Sequence, residues 1–413
     1  MNYEYGIIGG GPAGYTACIS LSKQGHSVVL FEKGEIGGTC LNRGCIPTKA
    51  LLHASEIYKQ TMNASKYGLD IEIKGFDFSK IAEYRDNTVL KIRKGLELAI
   101  KNSGVNRANG VNIVYAEARV LDDKTILANG EEYKVEKIII ATGSEPREIK
   151  GLEFDGKFIL NSDDVLKLNE LPKSVLIVGS GAIGIEWARI FSNFGVEVCL
   201  IEIAEHLIPL ADIEVSKRVE RIFKQNKIKF YLNDSISKIE NKKVTLKSGA
   251  EIEPDFILSA AGRTPVNPFN GDCVLGDACD EIQLAHYAIH QAVNYTEGTD
   301  FIKSLTPSVI YGEPEIAWVG LREQDCGEDC TKIVLPVSAL GKSWCDDNTD
   351  GFIKLIIKDD FIIGAHIVSK EASALIHEIL IAMQNNIKIS ELKKVCFAHP
   401  TYSEGIFEAI CRI

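Results

Sequence analysis

The stretch Gly37-Gly38-Thr39-Cys40-Leu41-Asn42-Arg43-Gly44-Cys45-Ile46-Pro47-Thr48-Lys49 organises the reading of this chain. Two cysteines stand five positions apart, with glycines before and between them and a lysine four positions past the second. On an ideal helix, positions i and i+5 lie roughly 8.6 Å apart between Cα atoms. A disulfide needs Cα atoms within about 7 Å. A bridge between Cys40 and Cys45 therefore requires a bent turn, and Gly44 permits one because glycine tolerates strained backbone angles. A strained, accessible disulfide is easier to reduce than a structural one. Two buried free thiols are the competing reading, and the sequence on either side tips the balance.

Upstream, Tyr5-Gly6-Ile7-Ile8 reads as a buried parallel strand running into Gly9-Gly10-Gly11-Pro12-Ala13-Gly14, a G-x-G-x-x-G loop. The pattern predicts a helix from Tyr15 to Gln24, ended by Gly25, and a strand from Ser27 to Phe31 closing on Glu32. This is a βαβ dinucleotide fingerprint. Gly9, Gly11 and Gly14 let the backbone approach a pyrophosphate at the helix N-terminus, and Glu32 holds a ribose hydroxyl. Lys33, next to Glu32, is counted with the same site. Downstream, Val178-Gly179-Ser180-Gly181-Ala182-Ile183-Gly184 repeats the fingerprint at an offset of 170 residues without a gap. Gly9, Gly11, Gly14, Gly25 and Glu32 map onto Gly179, Gly181, Gly184, Gly195 and Glu202. Two intact units imply two dinucleotides. Glu202 repels a 2′-phosphate and accepts from a 2′-hydroxyl, and no arginine follows within ten residues, which favours NAD over NADP. The unit leading into the cysteines suits FAD, whose ring can exchange electrons with a disulfide, and the second suits NAD.

Between these landmarks, residues 50–105 read as mainly helical, with Val89, Ile92, Leu96 and Ala99 forming an amphipathic face. Val111 to Leu127 reads as strands of a small insertion, and Lys137 to Ala141 as a buried strand stopping at Thr142-Gly143. The net charge of −11 argues against nucleic acid and anionic membrane surfaces as partners. No apolar run approaches the roughly 20 residues of a membrane span. The apolar start runs straight into the glycine loop without a cleavage site, so no signal peptide is read and a cytoplasmic location is expected. There a persistent disulfide is more often catalytic than structural. Cys273 and Cys279, like Cys326 and Cys330, lack histidine partners at zinc-site spacing; they are read as free thiols, and no metal site is expected.

The chain resembles the pyridine nucleotide–disulfide oxidoreductases, and within them most closely the dihydrolipoamide dehydrogenase branch. The two fingerprints carry the resemblance, with GGTCLNRGCIPTK, ATG at Ala141–Gly143, AGRTP at Ala261–Pro265, GDA at Gly276–Ala278, PSVIYGEPEIAWVG at Pro307–Gly320 and HPTYSE at His399–Glu404. They span nearly the whole chain in the family's order. The resemblance implies an α/β protein with two Rossmann-like dinucleotide-binding domains and a C-terminal α+β dimerisation domain. Residues 1–145 would be the first part of the FAD domain, 146–262 the NAD domain, 263–300 a shortened second part of the FAD domain, and 301–413 the dimer interface. No lipoyl domain is read before residue 1.

By the same resemblance, Cys40 and Cys45 form the redox disulfide. Cys40 is the interchange thiol that meets the substrate, and Cys45 is its partner beside the flavin. Lys49 sits near the flavin ring, paired with Glu186. Thr39 and Ala118 match flavin-contacting positions, Gly143 belongs to the cofactor site, Asp277 holds the flavin side chain, and Ala285 lies in the loop covering it. Gly262 lies near NAD. His399, an imidazole with a pKa near neutrality, serves as base. Glu404 fixes its tautomer, although Thr401-x-x-Glu404 also reads as a capping box for a helix from Ser403 to Ile410. In the family this pair serves the disulfide of the opposite subunit, so a homodimer is expected. The implied reaction oxidises dihydrolipoamide with NAD+ in two half-reactions. The partner would be a lipoyl-bearing protein of a 2-oxo acid dehydrogenase or glycine cleavage complex.

The chain departs from the family at one place: only ten residues, 266–275, separate Arg263-Thr264-Pro265 from Gly276-Asp277, where relatives carry more. A strand is still read at Asp272 to Leu275. Arg43 and Tyr402 stand where valine and leucine are frequent, and Arg43 is a candidate to depress a thiolate pKa. A single Cys411 near the end argues against the paired C-terminal cysteines of mercuric and large thioredoxin reductases. The alternatives are a related low-molecular-weight disulfide reductase, an NADH diaphorase, and a cofactor-poor, non-catalytic subunit of a dehydrogenase complex.

Overall fold

The computed structural model describes residues 2–104, 111–269, 273–279 and 282–412. The strand Asn2–Ile8 lies between Val28–Glu32 and Glu131–Ile140, parallel to both, with Ile7 opposite Leu30 and Ile139. All three side chains are fully buried. Strands covered on both faces run apolar without alternation, which is why this segment shows no period of two. Parallel neighbours need a crossover, and the helix Pro12–Gln24 supplies it. Asn112–Tyr115 extends the parallel side. Ala118–Asp122 and Thr125–Ala128 continue the sheet on the other side as an antiparallel meander onto Glu131–Ile140.

The second fingerprint sits in its own parallel sheet, ordered Lys229–Tyr231, Glu197–Ile201, Ser174–Val178, Phe256–Ser259, Ile159–Leu160. The helix Ala182–Asn193 crosses over it. A three-stranded antiparallel layer, Ile236–Glu240, Lys243–Leu246 and Glu251–Ile252, packs beside this sheet. The chain then returns to the first sheet. Arg263–Pro265 pairs with Ser144–Pro146, and Cys273–Val274 adds parallel to Glu131–Ile140. The helix Ala285–Glu297 lies along Pro12–Gln24, where Ser20 Oγ donates to Glu297 and Gln24 Nε2 to the Thr296 carbonyl. The strand expected at 272–275 is thus observed at Cys273–Val274; Asp272 lies outside the described residues. Beside this short return, Val120, Ile138, Phe269, Cys273 and Tyr295 line a cleft of about 550 Å³.

From Ser308 onward the chain forms a five-stranded antiparallel sheet, ordered Ser308–Ile310, Glu315–Gly320, Phe361–Ser369, Phe352–Lys358, Thr331–Pro336. The helices Ala372–Gln384 and Glu404–Ile410 pack on it around Ile353, Leu355, Ile367, Ile376 and Ile406. The architecture is therefore α/β, with two parallel dinucleotide-type sheets followed by an α+β unit.

Three expectations need correction. The helix over residues 78–102 buries Phe78, Ala82, Arg85, Val89 and Ile100, while Ile92 and Ala99 are exposed. Its inward face includes the arginine stems at 85 and 93, whose apolar lengths pack inward while their heads find acidic partners. Counting apolar residues alone therefore shifted the face. Cys326 and Cys330 are bonded to one another, with Cα atoms 6.5 Å apart. After the short 3-10 turn Glu323–Asp325 the chain is extended at Cys326 and turns at Glu328 and Asp329, which brings the two sulfurs together. Ala285 is the first residue of a helix rather than part of a loop.

Lys354, fully buried on its strand, ties this last sheet to the second unit. Its ammonium lies 2.8 Å from Asp212, 3.1 Å from Glu214 and 2.5 Å from Glu323. The three carboxylates lie close enough together to resemble a metal site, but the lysine sits among them. Removing one member of a buried ion cluster leaves uncompensated charge and costs about 3–5 kcal/mol. Lys354→Met is expected to fall at the lower end, because Glu214 and Glu323 are partly solvated. The measure is the urea midpoint of unfolding; an unchanged midpoint would remove the cluster from the account of how the two units are joined.

Candidate active site

The two glycine loops are built the same way. Gly9 and Gly179 have φ of +107° and +101°, and each N–H donates to the end of the neighbouring strand, at Phe31 O (2.8 Å) and Ile201 O (2.9 Å). Glu32 accepts from the N–H groups of Gly10 and Gly34, both at 2.7 Å. Glu202 accepts from those of Ser180 and Ala204, both at 2.9 Å. The acidic residue thus braces its own loop. A Cβ on Gly14 would run into the Gly9 carbonyl, and one on Gly184 into that of Gly179, so these glycines allow helix and strand to meet. Gly11 and Gly181 differ. A Cβ on Gly11 would meet only Gly38 Cα at 3.8 Å, and one on Gly181 would meet nothing. The space belongs to whatever lies over the uncapped helix N-termini behind them. Backbone N–H groups free of side-chain caps, at the head of a helix dipole, are what a pyrophosphate needs, and both sites fit a dinucleotide.

Cys40 and Cys45 lie on either side of a break. One helix, Gly38–Arg43, ends at Gly44 (φ −148°, ψ −110°), and a second, Cys45–Met62, begins there. The bend that lets positions five apart converge is at this glycine. Asn42 fastens the first helix by donating to the carbonyls of Glu35, Ile36 and Gly38, and Arg93 Nε donates to its oxygen at 2.9 Å. Both cysteines are half-buried free thiols hydrogen-bonded to each other. Cys40 keeps the proton, and donating it to Cys45 pushes its own pKa far up. Cys45 is pulled down to about 7, first by that hydrogen bond and then by the Lys49 charge, against the cost of burial. Arg43 is not among the groups that set this shift; its Nε lies 3.4 Å from Asp163.

Lys49, one turn into the second helix, donates to both oxygens of Glu186 at 2.8 Å. Glu186 is buried on the helix that follows the second glycine loop. Burial opposes the charge on Lys49, but Glu186 outweighs it and the pKa rises. Tyr311 completes the group: its N–H donates to Glu186 at 3.1 Å, and its ring lies 4.7 Å beneath the Lys49 ammonium. Tyr311 lies within the Pro307–Gly320 motif, but nothing local in the sequence marks a role for it, because its partners stand 125 and 262 positions away.

The remaining predicted residues spread around the first loop and beyond it. Thr39 is in the first helix, Ala118 begins a strand, and Gly143 (φ +76°) lies in the link between the strands Glu131–Ile140 and Ser144–Pro146. Asp277 accepts from Ser144 Oγ at 2.6 Å. Gly262 (φ +96°) accepts from the Arg147 N–H, and Lys33 is exposed. His399 and Glu404 form a pair of their own, with Nδ1 2.8 Å from Oε1. Glu404 also accepts from the Thr401 N–H at 2.9 Å through its second oxygen, and its own N–H donates to Thr401 Oγ1. One carboxylate therefore serves the capping box and the histidine together. Its pKa is lowered, first by the Thr401 N–H and then by His399. Among the described residues no hydrogen bond joins this pair to Cys40 or Cys45, and the His399 side chain is 76% exposed.

The pyridine nucleotide-disulphide oxidoreductase family model matches residues 3–273, and the dimerisation domain of the same family matches residues 306–410. The chain belongs to this family. It is 31% identical to a dihydrolipoyl dehydrogenase of Bacillus subtilis over 98% of this chain and 97% of that protein. It is 32% identical to the leghemoglobin reductase of Vigna unguiculata over 98% of this chain and 86% of that one. The first alignment runs over 450 positions, more than the 413 residues here, so this chain is shortened against its relative. Among solved structures, the fold matches LpdA from Mycobacterium tuberculosis with a TM-score of 0.89 at 22% identity, covering 99% of both chains. It matches the HOCl-induced flavoprotein disulfide reductase RclA from Escherichia coli at 24% identity, again over 99% of both. As a member of the family the protein is a flavoprotein oxidoreductase that uses FAD and a pyridine nucleotide, and its dimerisation domain supports a homodimer. No helix among the described residues is long and apolar enough to cross a membrane.

Proposed function

We propose that the protein is an NAD-dependent dihydrolipoyl dehydrogenase, oxidising dihydrolipoamide to lipoamide through Cys40 and Cys45. The observation that carries this reading is the placing of the thiol pair: Cys40 and Cys45 face each other across the break at Gly44, and Lys49, one turn beyond Cys45, is held by both oxygens of Glu186. A cation fixed beside one of two adjacent thiols is what a dithiol left by a reduced disulfide needs, since it favours the thiolate at Cys45. In the first step a substrate thiolate attacks Cys40 of the disulfide form; the Cys40–Cys45 bond breaks and Cys45 leaves as thiolate. The second substrate thiol then attacks the mixed disulfide, releasing the cyclic product and returning Cys40 as thiol. Two electrons and one proton stay on the pair, and the other proton goes to His399, contributed by a second copy of the chain. FAD and NAD, when bound, carry the two electrons onward. Lys49 holds positive charge against the Cys45 thiolate, and Glu186 keeps that lysine in place. Glu202 with no nearby arginine supports NAD as the acceptor. A lipoyl-bearing protein of a 2-oxo acid dehydrogenase or glycine cleavage complex is the proposed partner.

The test is anaerobic mixing with dihydrolipoamide and NAD+, with glutathione disulfide and NADPH as the contrasting pair. NADH formed from the first mixture alone supports the proposal; turnover of the second alone overturns it in favour of a low-molecular-weight disulfide reductase. His399→Gln should lower dithiol oxidation by about 10²–10⁴-fold while leaving NADH-driven dye reduction within about threefold. Equal losses in both assays would remove His399 from proton transfer.

A further inference from the structure

One turn beyond Glu186 on the same helix lies Arg189, only 7% exposed. Its Nη1 donates to the carbonyl of Tyr311 at 2.8 Å. Its Nη2 has no partner among the described residues, and the side chain borders a cavity of about 20 Å³, room for a single water. A buried guanidinium is costly unless something local needs it. Here the same residue that accepts its hydrogen bond sends its N–H to Glu186 and its ring beneath Lys49. The space for the arginine comes from Gly312 (φ +132°), where a Cβ would lie 2.6 Å from Arg189 Cδ. Glu186, Glu56 and Glu315 supply the negative field around it.

We propose that Arg189 is a positioning residue for the redox centre: by fixing the Tyr311 main chain it holds the Lys49 ammonium against the Cys45 thiolate. This rests on the reading of Cys45 as the thiolate of the pair. The groups facing Cys45 are Cys40 from the preceding helix, Lys49 from its own, Glu186 from the helix of the second loop, and the Tyr15 and Tyr311 hydroxyls. Arg189 does not act on Cys45 directly. It acts by keeping two of these groups, Glu186 and Tyr311, in register with Lys49.

The test is the pH profile of Cys45 alkylation in the purified holoprotein, reduced and treated with iodoacetamide. Trypsin cuts after Arg43, so Cys40 and Cys45 fall in separate peptides, 34–43 and 44–49, and each is read alone by mass spectrometry. In the wild type, alkylation of Cys45 should rise through a midpoint near neutrality, because the thiolate is the reactive form. In Arg189→Met the midpoint should move up, lowering the rate at pH 7 about fivefold for a one-unit shift. Arg189→Lys, whose ammonium still donates to the Tyr311 carbonyl, should return it toward the wild type. Should Arg189→Met fail to fold, Gly312→Ala displaces the guanidinium with Arg189 retained, and the same upward shift is expected. A wild-type profile in whichever variant folds overturns the proposal, as does a lysine variant shifted as far as the methionine one. A wild-type Cys45 that stays unreactive until well above neutrality overturns both this proposal and the thiolate reading beneath it.

Discussion

Replacing Cys45 with serine is expected to lower dihydrolipoamide oxidation by more than about 10⁴-fold, the scale seen when one member of a catalytic unit that acts together is removed. Serine fits the same space, but its hydroxyl neither ionises near neutrality nor forms a bond with Cys40. The Cys40 proton then loses its thiolate acceptor, and the substrate has no disulfide to attack. NADH-driven reduction of a dye needs only the two dinucleotides and should stay within about threefold. Cys40→Ser should also abolish dithiol oxidation, but it differs in one respect. Cys45 keeps its Lys49 neighbour and, opposite a serine hydroxyl that does not ionise near neutrality, remains the acidic group of the pair. Long-wavelength absorption from a thiolate beside the flavin should therefore persist in Cys40→Ser and be absent in Cys45→Ser. The opposite pattern would exchange the two roles. Turnover within tenfold of wild type in either variant would end the disulfide mechanism.

The second large effect concerns the first glycine loop, where two alanine substitutions should fail for different reasons. Gly14→Ala places a methyl against the Gly9 carbonyl, inside the protein's own backbone. The helix Pro12–Gln24 must shift from its strand, an overpacking cost of about 1–3 kcal/mol or more, and the product should melt earlier and purify without yellow colour. Gly11→Ala meets only Gly38 Cα, at an ordinary 3.8 Å, so the apoprotein should melt close to the wild-type apoprotein. The added methyl still occupies the space through which the backbone approaches the pyrophosphate, and FAD content should fall at least about tenfold. Colour retained in Gly11→Ala would mean that the dinucleotide does not lie over this helix N-terminus. The pair of variants thus separates the glycine that closes the fold from the one that leaves room for the cofactor.

Some features were legible because their causes are local. A glycine loop between strand and helix needs nothing beyond about ten neighbouring residues to specify it, which is why the repeat at an offset of 170 appears in the structure bond for bond, down to Gly10 and Ser180 donating to Glu32 and Glu202. The bend at Gly44 was legible for the same reason: the residue that permits it stands beside the cysteine that needs it. The face of the helix over 78–102 was misread because arginine stems count as polar in a sequence and pack as apolar in a fold. The Cys326–Cys330 bond was misread because spacing alone does not reveal that the chain turns back between them.

By itself, then, the sequence determined the α/β class, the two dinucleotide folds and the family, since each is written in short runs where backbone geometry permits few residue types. Only the tertiary structure decided what surrounds the thiols. Lys49, Glu186, Arg189 and Tyr311 come from three distant segments; the resemblance pointed to Lys49 and Glu186, whereas Arg189 and Tyr311 are indistinguishable in sequence from ordinary core residues of their kind. The acidity of Cys45 depends on the hydrogen bond from Cys40 and on the charge of Lys49. Electrostatic and hydrogen-bond energies depend on distance and burial, and sequence separation carries neither.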